Sequence, residues 1–387
     1  MAFSRPLAMA MRVPRLCYAS TAGEEAIMQQ VHTALKERGL LERKTLRDVG
    51  PPSVDRQPAV LMLLFLHVGW FAVASAAPPR CEVLPLPGGR TSLRVLGEEV
   101  TCWNYGGDAP RPFLFPVNGP AGVSLVRMGH PGAPNHDHHR GVWFAHHDVE
   151  GHDFWADGTG CRIVQRQWLA YQDGPEAVAA VLLDWITADG TRLLEQRVVF
   201  AASRDEAGNK IEVQTELRPA ADREETTLRK TNFGLIAVRV AKSLSSHFGS
   251  GQLTDSEGRS GEPAIFGKRA RWMDCSGAVF SGTSARRLEL EEGISLFDHP
   301  ANPDHPTHWH VRNDGWMGAS LCMEEARTVH GERPLRLRYL LDCHRGPYDH
   351  EQAARTFRQF SESPPWMVSA SSQPHVRWSV ARQPVAE

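Results

Sequence analysis

Ala177-Val-Ala-Ala-Val-Leu-Leu-Asp-Trp-Ile186, then Thr187-Ala-Asp-Gly-Thr191, then Arg192-Leu-Leu-Glu-Gln-Arg-Val-Val-Phe200 is the stretch whose reading decides the fold. Two apolar runs of strand length flank Ala188-Asp189-Gly190, and Asp-Gly between such runs is a hairpin signal. The same pattern extends both ways. Upstream, Ser92–Leu96 alternates, Val100–Trp103 continues it, and Arg111–Pro116 and Arg162–Tyr171 read as further strands. Downstream, Lys210–Leu217 follows the turn Ala207-Gly-Asn209, Phe233–Val240 reads as a buried strand, and Leu335–Cys343 is the last strong one. Strands and turns in succession, without helical periods between them, predict antiparallel sheets packed face to face. The expected fold is therefore all-β, a large antiparallel β-sandwich with one C-terminal helix. That helix is Asp349–Phe360, with Asp at its start, Ala353, Phe357 and Phe360 on one face, and Pro364-Pro365 beyond it. No linker interrupts the chain between Arg80 and Ser361, so a single domain is expected over 80–362, with 363–387 as a tail.

The chain has 387 residues, a formal net charge of -2 and 23% charged residues, which gives no footing for a nucleic-acid partner. Its 33 Gly and 27 Pro suit a turn-rich β protein. Neither a phosphate loop nor a Gly-rich dinucleotide fingerprint is present. Residues 59–74 form the one long apolar run, ending in Ala74-Ser-Ala76. This reads as an export signal or signal anchor over 59–77, behind a poorly structured leader of 58 residues. It implies a periplasmic or extracellular location, with membrane contact only through that segment. Cys17 lies in the leader; Cys81, Cys102, Cys161, Cys275, Cys322 and Cys343 remain, as disulfides or as buried thiols.

Chemistry concentrates in Gly129–Trp155, where seven of the eighteen histidines fall within 27 residues. Its first part is rich in Pro, Gly, Asn and Asp and reads as a loop. Val142–His147 then offers a strand whose alternation places His146 with Val142 and Phe144, and His147 with Trp143 and Ala145. A second loop, Phe297-Asp-His-Pro-Ala-Asn-Pro-Asp-His-Pro-Thr-His-Trp-His-Val-Arg312, repeats the composition and is stiffened by three prolines. The two loops are expected to meet at one end of the sandwich.

Asn135-His-Asp-His-His-Arg-Gly-Val-Trp-Phe and Asp148-Val-Glu-Gly-His-Asp-Phe-Trp155, with the second loop, resemble the motifs of a bacterial family labelled "methane oxygenase PmoA". Thr231–Arg239 and Gly267–Trp272 fit as well, so the resemblance spans roughly 80–360. Asn135, Asp137 and Glu150 depart from that pattern, and His147 and His152 fall where it is open. The label suggests a metal-dependent oxygenase, but a methane monooxygenase subunit spans the membrane several times, each span needing about 20 apolar residues. The resemblance better implies a secreted sandwich similar to mutarotase-like supersandwich folds that act on sugars.

The expected function is an exported carbohydrate-active enzyme using general acid/base chemistry at the histidine-rich cleft. The candidate catalytic residues are His138, His139, Arg140, Asp148, Asp298, His299 and His310. Trp143, Trp155 and Trp309 would stack on the sugar, with Asp153, His305 and Arg312 bonding its hydroxyls. If a divalent metal is used instead, its candidate ligands are His138, His146, Asp148 and His299. A non-catalytic glycan-binding module is the third reading. No cofactor is singled out.

Overall fold

The hairpin around Asp189-Gly190 sits one strand in from the edge of a sheet. In the computed structural model, which describes residues 79–130, 136–283 and 285–384, Ala177–Ile186 pairs antiparallel with Arg192–Arg204. Gly190 closes the turn at φ +90°, and its amide reaches the Thr187 carbonyl at 3.0 Å. Both belong to an eight-stranded sheet running in space from Gln252–Asp255 through Trp272–Thr283, Arg286–Asp298, Leu335–Arg345 and Gly208–Pro219 to the hairpin and Arg162–Gln172. A second eight-stranded sheet runs from Cys81–Leu86 through Arg90–Val95, Glu98–Asn104, Phe113–Val117, Val142–His146 and Gly234–Arg239 to Trp316–Ala319 and Trp309–Arg312. Every strand pair is antiparallel, as the uninterrupted alternation predicts.

The two sheets bury one core between them. Ala177, Ala179, Val181, Leu183 and Trp185 face it from the hairpin sheet, and Leu93, Val95, Val142, Phe144 and Val238 from the other. Period-two alternation then decides what each sheet shows on its outer face. On the hairpin sheet that face is covered twice. Helix His350–Glu362, whose first amides at Glu351 and Gln352 donate to Asp349 at 2.9 and 3.1 Å, lays Ala353 and Phe360 on Trp272, Phe297 and Leu340. The chain beyond residue 362 is not a tail. Trp366–Ala370 and Trp378–Arg382 form a hairpin, because Trp366 and Val380 cover Val178, Ala180, Val199 and Ala201, which would otherwise face water. The domain therefore extends past its expected end.

Cys81, Cys102, Cys161, Cys275, Cys322 and Cys343 are all buried free thiols, so the disulfide alternative is not realised. The expected leader and export segment lie outside the described residues. Among the described residues no helix is long and apolar enough to cross a membrane.

Candidate active site

The outer face of the other sheet is where the histidines gather. Trp143 and Ala145 of Val142–His146, Ala237 of Gly234–Arg239 and Trp316 point outward there and pack with Phe113 and Trp155. The same parity sends His147 to that surface and turns His146 inward, as the alternation of this segment predicts. His146 is fully buried, with Nε2 2.9 Å from the Arg229 carbonyl. Gly234 opposite it has no room for a side chain, since a Cβ would lie 2.4 Å from His146 Nδ1. In strand Trp309–Arg312 parity separates the residues again. His310 and Arg312 face outward, whereas Trp309 and Val311 enter the core, the Trp309 indole bonding the Ala270 carbonyl at 2.9 Å.

These residues line a cleft of about 380 Å³. His136, His138, His139 and His147 from the first histidine-rich segment meet His310 and Arg312 from the second, with Asp153, Trp155, Phe233, Asp314 and Trp316 between them. The two loops thus meet on the outer face of a sheet and not at an end of the sandwich, and only one end of the second loop takes part. His139 lies flat between Trp143 and Trp316, at 5.3 and 5.5 Å with 20° between planes in each pair. His310 meets the edge of Trp316 at 4.2 Å. Trp155 and Trp316 are nearly buried, so the ring that offers a face to the cleft is the half-buried Phe233, parallel to Trp316 at 6.4 Å.

Electrostatics keep most of these imidazoles neutral. Burial, then the nearby Arg111 guanidinium, pulls His138 down to about 4. Burial and the adjoining His138 push His139 far below the ordinary histidine range. Burial lowers His310 to about 4, although its bond to the Asn232 carbonyl opposes the shift. That bond, Nδ1 to oxygen at 3.0 Å, fixes the tautomer and leaves Nε2 as a bare acceptor. His147 is held differently. Its Nδ1 lies 3.2 Å from Asp153 Oδ2, while Asp153 Oδ1 accepts the amides of Trp155 and Ala156 at 2.7 and 3.0 Å. A carboxylate pinned by two backbone donors therefore stands beside an imidazole that is half exposed at the cleft.

The remaining candidates take structural roles. Arg140 pairs with Asp157 through both terminal nitrogens, at 3.1 and 2.5 Å, and the buried Arg111 shares the same carboxylate at 3.2 Å. Arg111 also holds the His138 carbonyl at 3.2 Å and so positions the loop. Asp148 accepts the Gly151 amide at 2.7 Å and caps a turn near Arg229. Neither Trp143 nor Trp309 is a stacking platform: Trp143 is buried beneath His139 on the outer face, and Trp309 fills the core between the sheets. Asp298, His299 and His305 do not reach the cleft. Asp298 is a buried hub accepting from Asn302 at 2.7 Å, His305 at 2.8 Å and the Thr307 amide at 3.0 Å. His299 lies 3.0 Å from Arg338 and against Phe360, and His305 stacks on Phe357, so this part of the loop anchors the helix.

The proposed metal set does not assemble either. His146 is turned into the core, His299 lies beneath the helix, and Asp148 is spent on a turn. Among the described residues no three His, Cys, Asp or Glu side chains are disposed to hold a metal ion. Asp314, Phe233, Trp316 and His147 also line the cleft, although none of them is among the candidate catalytic or binding residues that the sequence singles out. Only the parity that puts His147 beside Trp143 and Ala145 signalled any of them.

Fold and site together define a two-sheet antiparallel sandwich with a histidine- and aromatic-walled cleft on one outer face. The chain belongs to a family of unknown function (DUF6807), whose profile matches residues 90–358 and so includes the whole cleft. Comparison with curated proteins gave no match. Among solved structures the chain is similar to a galactose mutarotase-like protein from Clostridium acetobutylicum, at 11% identity and a TM-score of 0.30, over 67% of this chain and 94% of that one.

Proposed function

We propose that the protein is an exported enzyme that binds an uncharged portion of a sugar in this cleft and acts on it by general acid/base catalysis. The carrying observation is the Asp153–His147 pair beside neutral imidazoles and an apolar ring. Asp153 Oδ2 lies 3.2 Å from His147 Nδ1, a carboxylate placed to favour a proton on Nδ1 and to leave Nε2 to take or give one. Phe233 offers a face to the C–H side of a sugar ring, and His138 and Arg312 offer polar contacts to hydroxyls. His138, held neutral, takes part as a hydrogen-bonding group and not as a cation.

The test is a panel of mono- and oligosaccharides followed by NMR, with wild-type protein and His147→Gln. Turnover by wild type, with binding kept and turnover lost in the variant, supports the reading. Binding without turnover in either protein would replace it with a glycan-binding module. Stoichiometric iron, copper or zinc in untagged protein, required for any turnover, would replace it with a metal enzyme.

A further inference from the structure

A second cleft of about 380 Å³ lies on the outer face of the hairpin sheet, beneath the C-terminal hairpin and away from the histidines. Its walls differ sharply in chemistry. Val199, Pro365, Met367 and Val368 make one side apolar, while Arg197, Arg336 and Glu216 make the other charged. Glu216 already serves three guanidinium groups: Arg218 at 2.8 Å, Arg336 at 2.7 Å and Arg197 at 4.0 Å. Three cations around one anion leave a local excess of positive charge. Burial raises the Glu216 pKa, but the Arg218 and Arg336 bonds outweigh it and hold the carboxylate ionised.

Donors are also in excess here. The Trp366 indole N–H, on a side chain that is 94% buried by its 6% exposure, has no acceptor, and neither has the Arg197 Nε–H. Arg336 bonds Glu216 through Nε only and is 66% exposed, so its two terminal nitrogens are available. Arg382 lies over the Trp366 ring at 4.1 Å but is committed to Glu176 at 3.0 Å and Glu212 at 2.7 Å. Both Gln214 amide atoms are taken by the Trp366 backbone, at 2.7 and 2.9 Å. Three guanidinium groups sharing one carboxylate, with the Arg336 terminal nitrogens open to solvent, favour a ligand rich in acceptors and negatively charged.

We propose that this cleft is a second binding site, for a small molecule that carries an oxyanion on an apolar body. The oxyanion sits between Arg197 and Arg336, and the body lies along Val199 and Met367 beside the Trp366 side chain. The proposal does not depend on the histidine cleft.

Binding is followed by calorimetry and by the Trp366 indole resonance, assigned with Trp366→Phe. The probes are benzoate, glucuronate, inorganic sulfate and inorganic phosphate. Saturable binding of benzoate, tighter than that of glucuronate or of either inorganic ion, is expected, with a shift of the Trp366 resonance. Arg336→Gln, at an exposed position, and Arg197→Gln should each weaken binding roughly tenfold. No saturable binding of any probe overturns the site, as does binding that neither variant weakens. Glucuronate or inorganic ions binding as tightly as benzoate overturn the apolar-body assignment.

Discussion

Asp314 closes a two-pronged ion pair on Arg239, a guanidinium with no exposed surface, at 3.2 Å from Nη1 to Oδ1 and 3.3 Å from Nη2 to Oδ2. His130 joins the same guanidinium, so one strand end, the cleft wall and the start of the first loop share one charge cluster. Removing the carboxylate leaves a buried cation alone.

Asp314→Asn should therefore destabilise the fold by about 3 kcal/mol in urea titration, and adding Arg239→Met should recover much of that loss. A loss within 0.5 kcal/mol of zero, roughly what a surface substitution gives, would show the pair to be incidental. Burial raises the Asp314 pKa, but Arg239 overrides it and the net shift is downward. Its contribution is therefore complete above the ordinary value of 3.8 and lost as pH falls below it.

His344 gives the opposite pH dependence. Burial opposes its charge, but Asp274 at 2.9 Å overrides that and raises it to about 9. A raised value means the stabilisation is complete below the ordinary 6.5 and is lost as pH rises through about 9. Wild-type stability should fall by up to about 3 kcal/mol across that window. In His344→Gln the decline should be absent; an identical slope in both proteins refutes the assignment.

Asp153→Asn removes the charge that orients His147 but keeps its two backbone contacts nearly intact. On a sugar that the wild type turns over, kcat should fall roughly a hundredfold or more while KM changes little. A rise in KM with kcat unchanged would make Asp153 a binding residue only.

A chain ending at Ser363 should lose solubility and cooperative unfolding. It uncovers Val178, Ala180, Val199 and Ala201 on the outer face of the hairpin sheet. A soluble truncated protein with unchanged melting temperature would show the hairpin to be dispensable.

What local chemistry imposes was legible before any coordinates. The Asp-Gly turn, the capped helix after Asp349 and the opposed faces of His146 and His147 each follow from neighbours in the chain. What depends on distant packing was not. Trp143, Trp155 and Trp309 are equal in sequence, and only the sheet face decides that Trp155 borders the cleft while Trp309 fills the core. Phe233 and Trp316 resemble ordinary strand residues, and their role arises from meeting across strands. Histidine density likewise says nothing of direction, so Asp298, His299 and His305 turned out to secure the helix.

The second loop leaves the hairpin sheet at Asp298 and enters the opposite sheet at Trp309, and Asp298 grips Asn302, His305 and Thr307 on the way. That crossing is a braced strut between the two layers, ending one residue before His310 enters the cleft. Sliding of one layer past the other would break the strut, so the wall that carries His310 is tied to the layer beneath the helix.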